Sequence, residues 1–266
     1  MAVTVETYAT LAEAQRAMAG GRARFLGGGT ILMRALNEAD PSISTIVRAT
    51  DPALRQIRPE GGEIMIGAGV TMAELARHRD TAFLAPVARV IGGPQVRAAA
   101  TVAGNLFAAA PYGDMAAALL ALGATIETAD GRRQPIEELM RPSGSGAGGL
   151  VAAVRVADPR GAFHFCKVSR VKPKGVSLIS IAALLPRPGG RIERPRIVFN
   201  GMGPRPVRAA EAERALEGRS LDAAAIAAAA RAAAEGFDPP DDALASAWYR
   251  REVAGVHLAR LLTGIR

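Results

Sequence analysis

The sequence predicts an α+β protein, and three observations carry that prediction. The chain has 266 residues, of which 49% are hydrophobic and 22% are charged, so it has the composition of a folded chain long enough for two domains. Before residue 130, short apolar runs alternate with glycine turns and helical patterns. After residue 150, several strand patterns come first and mostly helical sequence follows, which is the order expected of segregated strands and helices.

The first predicted unit lies at the N-terminus. Thr10 and Glu13 have the spacing of a capping box, which predicts a helix from about Leu11 to Ala19. The apolar run Ala23–Leu26 predicts a short strand, and a glycine turn and another helical pattern follow it. The junction of strand, glycine turn and helix N-terminus is therefore the first candidate binding site.

A second unit begins near residue 55. The alternating segment Glu63–Gly67 predicts a strand, and Thr71 and Glu74 form a second capping box. Further elements are predicted, in order, as a helix at Thr81–Ile91, a small-residue turn at Thr101–Asn105, a helix at Asp114–Leu122 and a strand at Ala124–Thr128.

The stretch Arg141–Gly149 is rich in glycine and serine and predicts a surface loop or a domain boundary. Four strands are predicted after it, at Leu150–Val156, Phe163–Ser169, Val176–Leu185 and Arg196–Asn200. Mostly helical sequence completes the chain and includes an alanine-rich helix at Leu221–Ala234. This last part predicts one module of strands followed by helices.

The formal net charge of +8 raises the question of nucleic-acid binding. The basic residues are almost all arginines, and they are scattered among acidic residues rather than gathered in runs. Aromatic residues, on which bases stack, make up only 4% of the chain. The sequence therefore predicts no nucleic-acid partner.

Membrane insertion and metal chemistry are also disfavoured. The longest uncharged apolar stretch, Met115–Ile126, is shorter than the roughly 20 residues of a membrane-spanning helix. The N-terminus lacks the pattern of a secretory signal, so we expect a cytoplasmic protein. Cys166 is the single cysteine, so an iron–sulfur cluster with four thiolate ligands must lie on another chain. The three histidines lack metal-site spacings, and no metal site is predicted.

Gly27, Gly28, Gly29 and Thr30 have the chemistry of a phosphate site. Successive glycines let backbone N–H groups converge, and a helix that begins there adds partial positive charge. The alternative is a plain tight turn. The segment lacks the third glycine of the dinucleotide fingerprint, and the chain has no Gly-Lys pair, so neither a Rossmann site nor a P-loop is supported.

The segment from Thr101 to Asn105 is the second candidate. It offers a hydroxyl, close backbone approach at Gly104 and the carboxamide of Asn105, which donates and accepts hydrogen bonds. Asp114 lies nine residues further on. Its carboxylate either accepts hydrogen bonds from sugar-alcohol hydroxyls or caps the helix that starts there.

With these motifs, the chain resembles the FAD-binding medium subunit of the molybdenum hydroxylases. This is the family of carbon monoxide dehydrogenase and of the xanthine dehydrogenase-type molybdopterin dehydrogenases. The resemblance rests on Phe25-Leu-Gly-Gly-Gly-Thr30, Ile91-Gly-Gly-Pro-Gln-Val-Arg97, Thr101-Val-Ala-Gly-Asn105, Ala110-Pro111 and Asp114. It continues through Phe163–Arg170, Gly201–Arg208 and Ala247–Arg251, and so covers nearly the whole chain. The departures are Ala103, where the family usually has glycine, and the apolar residues 106–110.

The resemblance implies a two-subdomain FAD-binding domain of the PCMH type, followed by a C-terminal domain of antiparallel sheet and helices. The expected domains are residues 1–55, 56–158 and 159–266. It places the FAD diphosphate against the two glycine segments, and Leu150 or Val151 with Lys167 near the isoalloxazine ring. The residues implied for FAD are Phe25, Leu26, Gly27, Gly28, Gly29, Thr30, Ile31, Thr101, Gly104, Asn105, Asp114, Leu150, Val151 and Lys167.

The implied function is that of an oxidoreductase subunit in a heterotrimer. Its FAD would take electrons from a small [2Fe–2S] subunit and pass them to an external acceptor, while a large molybdopterin subunit oxidises the substrate. No catalytic acid, base or nucleophile is expected in this chain. A cation at Lys167 would stabilise reduced flavin, and the alternative is a solvated strand lysine. The alternative function is a nucleotide- or anion-binding structural subunit without redox activity, which Ala103 and the apolar residues after Asn105 favour.

Overall fold

A computed structural model of the chain describes residues 3–18, 21–140, 149–171 and 175–265. Its strands form three sheets, and each sheet is built from a continuous part of the chain. The sheets follow one another from the N-terminus to the C-terminus, and helices cover them. This is the mixed helix and strand architecture that the sequence predicts.

The first sheet has three parallel strands in the order β1-β3-β2. Its strands and helices are β1 (Thr4–Tyr8), α1 (Leu11–Ala17), β2 (Ala23–Phe25), α2 (Leu32–Asn37) and β3 (Thr45–Ala49). The predicted capping box at the start of α1 is confirmed. The Thr10 hydroxyl accepts from the Glu13 N–H at 3.2 Å, and the Glu13 carboxylate accepts from the Thr10 N–H at 3.0 Å.

The second sheet has five strands in the order β4-β5-β8-β6-β7, and all four pairings are antiparallel. The strands are β4 (Ile57–Glu60), β5 (Glu63–Gly67), β6 (Thr125–Thr128), β7 (Arg133–Pro135) and β8 (Val151–Val156). The helices of this part are α3 (Met72–Leu75), α4 (Ala85–Arg89), α5 (Pro94–Ala99), α6 (Val102–Leu106), α7 (Asp114–Ala121) and α8 (Ile136–Met140). Every residue of α7 is buried, so this helix is the centre of the largest apolar core.

The third sheet is antiparallel, with the order β12-β11-β10-β9. Its strands are β9 (Phe163–Val168), β10 (Ile179–Leu184), β11 (Arg196–Asn200) and β12 (Val207–Arg208). The helices that follow are α9 (Ala210–Leu216), α10 (Ala223–Arg231) and α11 (Ala247–Thr263).

Strand β10 packs on both of its faces. Ile179, Ile181 and Ala183 lie in the core formed with α9, α10 and α11. Because successive side chains of a strand point to opposite faces, Ser180 and Ala182 face the other way, and Ala182 joins the core around α7. The third sheet is therefore held between its own helices and α7, which is the joint between the two halves of the chain.

Two predicted elements differ from the structure. The predicted turn at residues 101–105 is the start of α6, because the Thr101 hydroxyl accepts from the Gly104 N–H and so caps a helix. The predicted helix at Thr81–Ile91 is instead a 3₁₀ turn, Arg79–Leu84, followed by the short helix α4, which has proline in its first turn. Residues 141–148 of the predicted loop lie outside the described residues.

Candidate functional site

The glycine turn after β2 presents backbone donors without protein partners. Before the turn, the Leu26 N–H donates to the Val47 carbonyl oxygen at 2.7 Å. After the turn, the Met33 N–H donates to the Gly29 carbonyl oxygen at 2.9 Å. Between them, the N–H groups of residues 27–31 donate to no acceptor in the described part of the chain. Gly29 has a φ of +71°, a backbone conformation that favours glycine. The turn has the open N–H groups that an anion site requires.

The second candidate segment lies directly against this turn. A methyl group on Gly28 would lie 2.6 Å from the Ala99 carbonyl carbon and 2.9 Å from the Ala100 Cα. A methyl group on Gly27 would lie 3.0 Å from the Thr101 hydroxyl oxygen. At Gly28 the nearest atoms belong to the backbone, so packing requires glycine there, whereas at Gly27 a methyl group would make a tight contact with the Thr101 side chain. The two predicted phosphate-binding segments thus lie side by side, in contact through Ala99, Ala100 and Thr101, and we call them the glycine cradle: residues 27–30 with residues 99–104.

Asn105 has a structural task beside the cradle. Its amide group donates to the Tyr112 carbonyl oxygen at 3.0 Å, and its amide oxygen accepts from the Met115 N–H at 2.9 Å. It therefore closes the loop between α6 and α7 and satisfies an otherwise free N–H group at the start of α7. The expectation that Asn105 also contacts the cofactor stays a prediction.

Asp114 is the most highly connected of the predicted site residues. Its side chain is 3% exposed and accepts from four side chains of the C-terminal half. The donors are Ser177 Oγ at 2.7 Å, Ser180 Oγ at 2.7 Å, Asn200 Nδ2 at 3.0 Å and Lys167 Nζ at 3.1 Å. The alternative that Asp114 caps α7 is wrong, because Gly113 is the N-cap residue of this helix and the Asp114 carboxylate is held by these donors instead. Binding of cofactor hydroxyls by Asp114 stays a prediction.

Lys167 is buried rather than solvated. Its side chain is 9% exposed, and Nζ also donates to the Val90 carbonyl oxygen at 2.9 Å. The alternative of a solvated strand lysine is therefore wrong. A buried ammonium group acts more strongly on its surroundings than an exposed one, because less water screens it.

Phe25 and Leu150 lie in one apolar cluster. Both pack around the small core of Ala14, Ala23 and Val47 between α1 and the first sheet. The Leu150 N–H donates to the Gln15 side chain at 2.9 Å, which fixes the start of β8 against α1, and the next residue, Val151, is buried. No sequence pattern predicts this role of Gln15, since a polar residue in the middle of a short helix carries no signal of its own.

Exposed apolar side chains follow both parts of the cradle along the chain, and one of them, Ile31, belongs to the set predicted for FAD. Four large side chains, at the start of α2 and on the loop after α6, are between 44% and 54% exposed: Ile31, Met33, Phe107 and Tyr112. Arg34 on α2 donates a hydrogen bond to the Glu38 carboxylate at 2.9 Å, which raises the pKa of Arg34.

Within the described residues, no group of three His, Cys, Asp or Glu side chains is placed to hold a metal ion.

Burial raises the pKa of the Cys166 thiol to about 11, so this cysteine is not a reactive thiolate. In the part of the chain that the structure describes, no helix has the length and apolar character needed to cross a membrane.

Comparison with known proteins agrees with this geometry. Residues 1–158 match the family described as the FAD binding domain in molybdopterin dehydrogenase, and residues 164–265 match the CO dehydrogenase flavoprotein C-terminal domain. The chain belongs to the FAD-binding subunits of the molybdopterin dehydrogenases. It is thus an FAD-dependent oxidoreductase subunit, and the predicted family, fold class and FAD cofactor are confirmed.

Relatives of this family are similar over almost the whole chain. The 6-hydroxypseudooxynicotine dehydrogenase complex subunit alpha of Paenarthrobacter nicotinovorans is 32% identical, over 91% of this chain and 86% of that protein. The carbon monoxide dehydrogenase medium chain of Afipia carboxidovorans is 29% identical, over 91% of this chain and 88% of that protein. Among solved structures, a carbon monoxide dehydrogenase from Hydrogenophaga pseudoflava matches with a TM-score of 0.91 at 25% identity, covering 99% of this chain and 96% of that one.

Proposed function

We propose that this chain transfers electrons through FAD, from a [2Fe–2S] subunit to an external acceptor, in an assembly of three different subunits. The large subunit holds molybdopterin and oxidises the substrate, so this chain uses no catalytic acid, base or nucleophile. Relatives described as a medium chain, and as one subunit of a dehydrogenase complex, support an assembly with other subunits. When bound, FAD supplies the ability to take up electrons singly and release them in pairs.

The glycine cradle is the observation that carries the proposal. Its N–H groups at residues 27–31 have no acceptor within the described chain, and such groups at a helix N-terminus bind phosphate oxygens. Thr101 adds a hydroxyl whose oxygen would lie 3.0 Å from a methyl group on Gly27, so both segments border one space. We assign the FAD diphosphate to this cradle.

The buried apolar and cationic residues beyond the cradle suit the flavin ring. We assign Leu150 and Val151 to its apolar contacts and Lys167 to its polar edge, where a positive charge stabilises the negative charge of reduction. The complete set that we assign to FAD is Phe25, Leu26, Gly27, Gly28, Gly29, Thr30, Ile31, Thr101, Gly104, Asn105, Asp114, Leu150, Val151 and Lys167. The domain division at 1–55, 56–158 and 159–266 is part of the proposal, and the three sheets, one in each range, support it.

Cofactor content and electron transfer test the proposal in two steps. The visible spectrum of the purified chain is recorded before and after incubation with FAD, and acid release then identifies the bound flavin. We expect one FAD per chain and no iron. The FAD-loaded chain is next mixed with the reduced [2Fe–2S] subunit, and loss of the oxidised flavin band is expected. A folded chain that retains no FAD, or bound FAD that the reduced partner leaves oxidised, contradicts the proposed role.

A further inference from the structure

The carboxylate of Asp114 is the meeting point of α7 and the third sheet. Its four donors come from β9, from the residues before β10, from β10 itself and from β11. We call this group the Asp114 clasp: Asp114, Lys167, Ser177, Ser180 and Asn200. The three neutral donor residues, Ser177, Ser180 and Asn200, are fully buried, so bulk water does not compete for their hydrogen bonds to Asp114.

The clasp also makes hydrogen bonds to two backbone segments of the part that matches the FAD binding domain. Lys167 Nζ donates to the Val90 carbonyl oxygen at 2.9 Å, and Val90 immediately precedes the glycine-containing segment that leads into α5. Asn200 Nδ2 donates to the Pro111 carbonyl oxygen at 3.1 Å, in the loop between α6 and α7. The clasp is therefore hydrogen-bonded to the segment that precedes residues 99–104 and to the loop that follows them.

The two oxygens of the Asp114 carboxylate accept from different sets of donors. An ionised carboxylate has about four lone-pair positions. Three neutral donors converge on Oδ1: Ser177 at 2.7 Å, Ser180 at 2.7 Å and Asn200 at 3.0 Å. Oδ2 accepts from Lys167 at 3.1 Å and is also 2.9 Å from the Ser177 hydroxyl. The neutral donors thus fix the direction of the carboxylate and the part of its charge that faces the ammonium group.

We infer that Ser177, Ser180 and Asn200 are positioning residues for the flavin. They fix Asp114, Asp114 fixes the Lys167 ammonium group, and the place of that charge sets the reduction potential of the bound FAD. The inference rests on the proposed function, since it requires Lys167 beside the ring. None of the three positioning residues is needed to touch the cofactor.

The sign of the effect follows from charge. Loss of one neutral donor leaves more of the Asp114 charge facing Lys167, so the ammonium group is held more tightly and its positive field at the ring is weaker. Reduced flavin is then less stabilised, and the midpoint potential falls. Ser180→Ala is the sharpest change, because it removes one hydroxyl and leaves a residue that fits the strand.

The experiment is a double-mutant cycle on the FAD-loaded chain. The measurements are made on the complete assembly when the chain purifies together with its partner subunits. The two-electron midpoint potential is measured for the wild type, Ser180→Ala, Lys167→Gln and the double variant. We expect Ser180→Ala to weaken the preference for reduced over oxidised FAD by up to tenfold, which corresponds to about 30 mV. In the Lys167→Gln background the same change is expected to have no effect.

The matched control is Ser169→Ala, which removes a serine hydroxyl just after β9 that donates to the Val171 carbonyl oxygen at 3.1 Å, outside the clasp. It is expected to leave the potential unchanged. If Ser180→Ala does not fold, Ser177→Ala gives the same test. An equal shift in both Lys167 backgrounds, or no shift in either, overturns the inference while bound FAD still supports the proposed function. A wild-type chain that holds no FAD overturns both.

Discussion

Gly28→Ala tests the glycine cradle most directly. The new methyl group would lie 2.6 Å from the Ala99 carbonyl carbon, 2.9 Å from the Ala100 Cα and closer still to the Ala99 carbonyl oxygen. Ordinary carbon–carbon contacts are about 3.5–4.0 Å, so the two cradle segments must separate by about 1 Å. The obstructing atoms belong to the backbone and cannot turn aside as a side chain would.

The magnitude follows from this overlap. Overpacking of a well-packed site costs about 1–3 kcal/mol, and an obstruction by backbone belongs at the upper end of that range. The separation also spoils the convergence of the N–H groups on the diphosphate. If about 1.4 kcal/mol or more of the strain must be overcome on binding, FAD affinity falls at least about tenfold.

The assay combines FAD titration, followed by flavin fluorescence, with thermal unfolding of the chain with and without FAD. Gly203→Ala is the matched control, since its methyl group would meet its nearest neighbour at an ordinary 3.5 Å. The control should bind FAD like the wild type. If Gly28→Ala keeps both wild-type FAD affinity and wild-type thermal stability, the cradle geometry described above is incorrect.

Two further predictions concern stability and thiol reactivity. Burial opposes ionisation of Asp242, but hydrogen bonds from Arg250 and from backbone N–H groups outweigh it and lower the pKa of Asp242. That contribution to stability is present above the unfolded pKa of about 3.9 and is lost as the pH falls through the folded value. Asp242→Asn should therefore lower the free energy of unfolding by about 1–3 kcal/mol near pH 7, which is less than the loss of a fully buried ion pair would cost. The variant should also lose less stability than the wild type below about pH 4, and urea unfolding at both pH values measures the two effects. An acid response equal to that of the wild type would contradict this prediction. Because burial raises the pKa of Cys166 to about 11, a disulfide reagent that modifies thiols should react far more slowly with the folded chain than with the urea-unfolded chain at about pH 8. Equal rates for the two forms would show that Cys166 is not buried.

Local signals in the sequence predicted the elements that local chemistry determines. Both capping boxes, at Thr10 and at Thr71, are present, because each needs only two side chains three residues apart. The strands β5, β8, β9, β10 and β11 were predicted near their observed positions because their apolar or alternating residues form a pattern within each strand. Strands β1 (Thr4–Tyr8) and β3 (Thr45–Ala49) were missed, since β3 lies between β1 and β2 in a parallel sheet and this pairing joins segments that are far apart along the chain.

The same distinction between local sequence patterns and tertiary packing applies to the candidate site. By itself, the sequence determined that two glycine segments can offer backbone donors to an anion, and the order of its motifs indicated the FAD-binding family. Only the tertiary structure decided that Gly28 packs against Ala99 and Ala100, which makes the two segments one cradle. It alone also decided the surroundings of Asp114, whose donors lie 53 to 86 residues away along the chain. No local pattern encodes such contacts, because they depend on how α7 and the third sheet pack together and exclude water.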